Sequence, residues 1–104
     1  MKKLSAAALE EGLKEIPTWT RKGEVLEKTF EFPAFGTAIT FVTKVAWAAE
    51  KVNHHPDIDI RWNKVRLSLT THDAGGLTDL DLGLAAKCDT LAGQVVRVRK
   101  TPAA

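Results

Sequence analysis

Three histidines carry the clearest chemical signal in the chain: the adjacent pair His54 and His55, followed at once by Pro56, and His72 further on. Glu50 precedes the pair and Asp81 follows the third. Histidine is the side chain whose ordinary pKa lets it both give and take a proton near neutrality. Two imidazoles brought together can divide acid and base roles. A carboxylate within hydrogen-bonding reach would raise a histidine's pKa, and desolvation would lower it. Such chemistry requires that the chain fold His72 back onto the pair.

The intervening residues supply the means. Ile58-Asp59-Ile60-Arg61-Trp62 and Val65-Arg66-Leu67-Ser68-Leu69 alternate apolar with polar, and Asn63-Lys64 between them are turn-prone, the pattern of a β-hairpin. With Asn63-Lys64 as the loop, Trp62 pairs with Val65, Ile60 with Leu67 and Ile58 with Leu69, and His55 falls opposite His72. Side chains alternate along a strand, so Ile58, Ile60, Trp62, Val65, Leu67 and Leu69 share the expected core face. His55 and His72 then project from the other face, although Pro56 disturbs the ladder just where the pair leaves it.

Other chemistries fit the residues less well. Adjacent histidines in an extended segment point to opposite faces, neither Cys-x-x-Cys nor His-Glu-x-x-His occurs, and Cys88 is the single cysteine, so no metal site is expected. Ser68, Thr70 and Thr71 read as ordinary strand residues and Cys88 as part of a helical stripe, without a nucleophile elbow. Taken alone, the residues also allow a plainer reading. In it the histidines are surface or turn residues, Asp81 is a helix-capping acid, Glu50 is a solvated residue of a helix end, and Trp19, Trp47 and Trp62 are core.

The rest of the chain must position this segment. Ser5 reads as a helix N-cap with Leu4 and Leu9 as a staple, and Leu9, Leu13 and Ile16 keep helical spacing until Pro17. Trp19 to Lys22 and Val25 to Phe32 flank Gly23-Glu24 as a second hairpin, with Leu26, Phe30 and Phe32 on one face. Lys28 breaks that face, which fits an edge strand or an unseen anionic partner. Pro33 suits the first turn of a long helix whose main stripe is Phe35, Ile39, Val42, Ala46, Ala49 and Val52, with Phe41, Val45, Trp47 and Ala48 broadening it. Asn53 is placed to leave that helix with positive φ. After Gly75-Gly76, Thr78-Asp79-Leu80-Asp81 resembles a capping box, and Leu84, Cys88, Leu91 and Val95 continue a third helix. The 95–100 segment reads equally as a last turn, a strand or a basic tail. The order helix, two strands, helix, two strands, helix predicts an α+β fold in which a four-stranded antiparallel sheet carries three helices on one face.

Composition narrows the function class. At 104 residues the chain is expected to be one domain, 1–104. A net charge of +2 does not suggest a nucleic-acid binder. No apolar run approaches the roughly 18 residues that span a bilayer, so no membrane partner is expected and the cytoplasm is the expected location.

Together, Glu50-Lys51-Val52-Asn53-His54-His55-Pro56, Trp62, Thr71-His72, Gly76-Leu77-Thr78 and Asp81 closely resemble the signature of the pterin-4a-carbinolamine dehydratases. With Trp19 and Phe30-x-Phe32 included, the resemblance covers nearly the whole chain. In animal members the position of Ile58 is often tryptophan and that of Leu80 often arginine, so it carries no stacking or charge contact to those two aliphatics. The resemblance implies loss of water from a 4a-hydroxytetrahydropterin to give quinonoid dihydropterin, in tetrahydropterin recycling, with no metal or organic cofactor. It makes His54 and His72 the acid-base pair and His55 a pterin ligand. Glu50 and Asp81 would orient the histidines, and Pro56, Trp62 and Thr71 would bind or orient substrate. It further implies a homodimer or homotetramer. The alternatives it carries are a protein-interaction module, since animal members act as dimerisation cofactors of a homeodomain transcription factor, and a molybdopterin-related role.

Overall fold

The computed structural model describes residues 2–100. Helix α1 (Ala6–Leu13) is followed by strands β1 (Thr20–Lys22) and β2 (Val25–Glu31) and by helix α2 (Phe35–Val52). Strands β3 (Asp57–Arg61) and β4 (Lys64–Leu69), a single 3₁₀ turn (His72–Ala74) and helix α3 (Asp79–Lys100) complete it. The strands form one antiparallel sheet in the order β1-β2-β4-β3. All three helices pack on one face of it, as the element order predicts. The 95–100 segment is helical, and the residues beyond Lys100 lie outside those described. No helix among the described residues is long and apolar enough to cross a membrane.

Local chemistry sets the ends of the elements. Ser5 caps α1, its Oγ accepting the Ala8 N–H at 3.1 Å. Gly12 lets α1 sit against the first turn of α3, since a Cβ there would lie 2.3 Å from Leu82 Cδ1. Gly23 takes the positive φ that the β1–β2 turn needs. Pro33 stands before the N-cap Ala34, one step outside α2 and not in its first turn. The core joins Leu26, Phe30 and Phe32 of the β2 region and Val65, Leu67 and Leu69 of β4 to Leu84, Cys88, Leu91 and Val95 of α3.

Three further expectations change. The buried stripe of α2 is Ala38, Phe41, Val45 and Ala49, whereas Phe35, Ile39, Ala46 and Val52 of the expected stripe are exposed and Val42 is half-buried. The helix is rotated because the sheet admits Phe41 between Phe30 and Phe32, with ring centroids 4.8 and 4.9 Å away.

Lys28 lies on β2, an interior strand, so the edge reading fails and the anionic partner is real. Its ammonium bonds Asp89 Oδ1 and Thr18 Oγ1, each at 2.7 Å, and sits over the Phe30 ring. Trp19 Nε1 donates to the same carboxylate.

The histidine hairpin has a different register. Arg61 pairs with Lys64, Ile60 with Val65 and Ile58 with Leu67, so Trp62 and Asn63 form the loop and Trp62 does not face Val65. Asn63 is the cause. Its Nδ2 donates to Phe32 O at 2.8 Å and its carbonyl accepts the Phe32 N–H at 2.9 Å, which keeps it in line with β4 beside β2. Trp62 is left at the first loop position with φ 56°. Because each partner moves by two residues, no side chain changes face. Burial does change, since β3 is an edge strand beyond the helices: Val65, Leu67 and Leu69 are buried, Ile58 and Ile60 are partly exposed, and Trp62 is 71% exposed.

Cys88 is fully buried, and burial, then the nearby Asp89 charge, pushes its thiol up to about 12. The folded state therefore disfavours the thiolate: this contribution to stability is intact below the ordinary thiol range and declines as pH rises from there toward about 12. In native protein at pH 8 a thiol reagent such as DTNB should leave Cys88 unmodified, with full reaction in denaturant. Rapid labelling of the native chain would contradict this burial.

Candidate active site

The cleft forms where the end of α2, the start of β3 and the loop after β4 meet. The last turn of α2 closes with the His54 N–H on Ala49 O (3.1 Å) and the Asn53 N–H on Glu50 O (3.2 Å). Asn53 is left-handed at φ 51°, ψ 45°. This pair of bonds is a Schellman motif, which reverses the chain sharply. It directs His54 inward, where the residue is 9% exposed, and leaves His55 on the surface.

Asp81 meets His54 from the other side. Thr78 caps α3 by accepting the Leu80 N–H at 3.2 Å, and Asp81 Oδ2 returns to accept the Thr78 N–H at 2.9 Å, completing the capping box expected from the sequence. The same carboxylate lies fully buried, with Oδ1 2.6 Å from His54 Nε2. Thr71 Oγ1 donates to Oδ2 at 2.8 Å and lies 2.8 Å from Thr78 Oγ1. The donors run one way, from Leu80 N–H through the Thr78 and Thr71 hydroxyls to Asp81. An ionised Asp81 accepts at both oxygens, which places the proton of His54 on Nε2 and leaves Nδ1 as the nitrogen able to exchange one.

His72 begins the 3₁₀ turn and is exposed. It therefore makes no ladder pair with His55. All three histidines nevertheless line one cleft of about 260 Å³ together with Asn53, Thr70, Thr71 and Asp73. Glu50 is exposed, with Oε2 3.9 Å from His55 Nε2, beyond hydrogen-bond length. Pro56 is half-buried just before β3. Trp62 is not in the cleft, for the five residues of β3, about 17 Å of strand, separate it from the histidine end. Asn53, Thr70 and Asp73 are cleft residues that sequence reasoning did not select; the positive φ expected of Asn53 was the available signal for the first. No cluster of three or more His, Cys, Asp or Glu among the described residues converges as a metal ion would require.

The sequence profile of the family "Pterin 4 alpha carbinolamine dehydratase" matches residues 2–91. The chain belongs to that family. A relative from Roseiflexus sp. (strain RS-1), provisionally assigned as a pterin-4-alpha-carbinolamine dehydratase, is 56% identical over 89 residues, covering 86% of this chain and 96% of the relative. The crystal structure of a transcriptional coactivator/pterin dehydratase from Brucella melitensis superposes with a TM-score of 0.84 at 33% identity, covering 88% of this chain and all of that one. A pterin dehydratase-like protein identified as a RuBisCO assembly factor in the alpha-carboxysome is similar at a TM-score of 0.60 and 26% identity, over 72% of this chain and 87% of that one.

The donor chain can be tested without any ligand. Thr71→Val keeps the shape but removes the hydroxyl that Asp81 Oδ2 accepts and that Thr78 faces. It should lower unfolding free energy by about 1–3 kcal/mol in urea titration. A wild-type midpoint would show that the chain of donors adds nothing to stability.

Proposed function

We propose that the protein dehydrates a 4a-hydroxytetrahydropterin to the quinonoid dihydropterin by histidine acid-base catalysis. The observation that carries the proposal is the cleft itself, three histidines of which one is locked by a buried carboxylate. Hydroxide is a poor leaving group, so the 4a-hydroxyl must receive a proton as the C4a–O bond breaks, while a ring N–H loses one as the C=N bond forms. Water leaves, and the two proton transfers balance.

The geometry suggests a division of labour. His54, with Nε2–H held by Asp81, accepts at Nδ1, and the imidazolium that results faces a carboxylate 2.6 Å away. It suits the base. His72, exposed at the cleft wall, exchanges readily with solvent and suits the acid that protonates the leaving hydroxyl. His55, beside Glu50, would bind the pterin. Trp62 has no part within this cleft.

Replacing His54 or His72 with alanine should lower kcat by something like 10²- to 10⁴-fold with much smaller effects on KM, once the uncatalysed rate is subtracted. His55→Ala should act mainly on KM. The double His54→Ala, His72→Ala variant should lose less than the product of the single losses, because the residues serve one step. Chelator should leave the rate unchanged. The assay is dehydration of freshly generated carbinolamine; near-normal kcat in both single variants would remove the acid-base assignment.

A second reading draws on the outer surface of α2. Trp47 is 70% exposed, and Ala48, Val52, Leu80 and Leu84 line a groove between α2 and α3 flanked by Lys51 and Lys87. An apolar surface of this kind is unusual on a monomer. It supports a homodimer or homotetramer and would also suit an interaction module. Trp47→Glu should shift the sedimentation coefficient toward the monomer at micromolar concentration; a wild-type chain already monomeric there would rule out the oligomer.

A further inference from the structure

The loop that joins β4 to α3 carries His72, yet few of its own contacts fix it. A backbone bridge between Thr71 and Gly76, 3.2 Å in each direction, closes its neck, and Leu4 N–H donates to Leu77 O at 2.8 Å. The Thr71 hydroxyl ties the neck to Asp81 and Thr78, and further support comes from Glu24, in the turn between β1 and β2. Its carbonyl accepts Thr70 Oγ1 at 2.6 Å, and its Oε1 accepts the Leu77 N–H at 3.1 Å. One residue thus holds both legs of the loop.

Gly76 shows that the fit is close. Its φ is not in the positive range, so glycine is not required there for conformation. The closeness is one of space: a Cβ would lie 2.2 Å from Glu24 Oε1 and 2.9 Å from Glu24 Cδ, so any side chain there would push the carboxylate aside. The carboxylate is also kept charged. The Leu77 N–H, and less strongly Lys3 and Arg21, hold its carboxyl below the usual range against partial desolvation.

We propose that Glu24 is a positioning residue for the cleft, whose carboxylate and carbonyl hold the two legs of the 70–77 loop and thereby set His72 in place. It touches no cleft residue but Thr70 and acts through the loop. His54, held by Asp81 and the end of α2, meets the loop only indirectly, through the Thr71 hydroxyl on Asp81. The effect on catalysis rests on the dehydratase reading; the effect on the loop does not.

The test compares Glu24→Ala, Glu24→Gln and Gly76→Ala with wild type by NMR and by dehydration kinetics. With three histidines in the chain, each ring signal can be followed separately. In Glu24→Ala the His72 signals should shift and broaden, Leu77 amide exchange should rise and the His54 signals should move much less. In the same variant kcat should fall about tenfold, a modest loss of alignment on the free-energy scale, with KM changed less. Glu24→Gln, which keeps an acceptor oxygen, should recover most of both effects. Gly76→Ala should reproduce the alanine phenotype by displacing the carboxylate. Unchanged His72 signals and Leu77 exchange in Glu24→Ala would overturn the proposal, as would a glutamine variant as impaired as the alanine one. Were the wild type inactive on carbinolamine, the function proposed above would fall, and the ligand-free NMR comparison would still decide the role of Glu24.

Discussion

A carboxylate with no solvent exposure sits at the junction on which the site depends. Burying an ionised Asp81 without partners would cost several kcal/mol. The fold offsets that cost with the Thr78 N–H, the Thr71 hydroxyl and His54 Nε2, and with the N-terminal end of α3, where the helix dipole favours negative charge. Each partner comes from a different stretch: the end of α2, the loop after β4 and the cap of α3. The acid that starts a helix is therefore also the acid that orients an imidazole. Stability and site geometry share one group, so neither can be altered alone.

The layering explains where the site can be. Helices cover β2 and β4, whose inward side chains form the core, and leave β3 as a partly bare edge. Polar groups are admitted beneath the helices only with partners in hand. Lys28, inward on an interior strand, is held by Asp89, Thr18 and the Phe30 ring. Asp81 is admitted on the same terms. The cleft opens at the end of the sheet because chain reversals there leave α2, β3 and the 70–77 loop with side chains that no helix covers.

Much of this was legible in the sequence where a local rule has one outcome. The caps at Ser5 and Thr78, the left-handed Asn53 and the stripe of α3 are set by neighbours within a turn or two. The resemblance grouped Asp81 with the histidines without saying which one it would meet, and the contact with His54 is visible only in the folded chain. What misled was non-local. The hairpin register turned on Asn63 bonding Phe32, a contact between strands that no pattern within the hairpin encodes. The α2 stripe turned on which face the Phe30 and Phe32 rings would accept. Trp62, grouped with the site by family pattern and with the core by alternation, is in neither, because the loop claimed it. Glu24, far from the histidines in sequence, carried no local signal.

The two functional readings are physically connected through α2. Its outer surface, with Trp47 and Val52 exposed, runs directly into the turn whose Ala49 and Glu50 carbonyls hold the chain at His54 and Asn53. A body seated on that surface would bear on the same last turn. It would restrict the fraying to which helix ends are prone, and so favour the arrangement in which Nε2 of His54 faces Asp81. Such coupling needs no pathway through the core, because the helix end is common to both surfaces. The exposed apolar face lies on α2 and the buried carboxylate on α3, and His54, at the end of the first and against the second, is where the two meet.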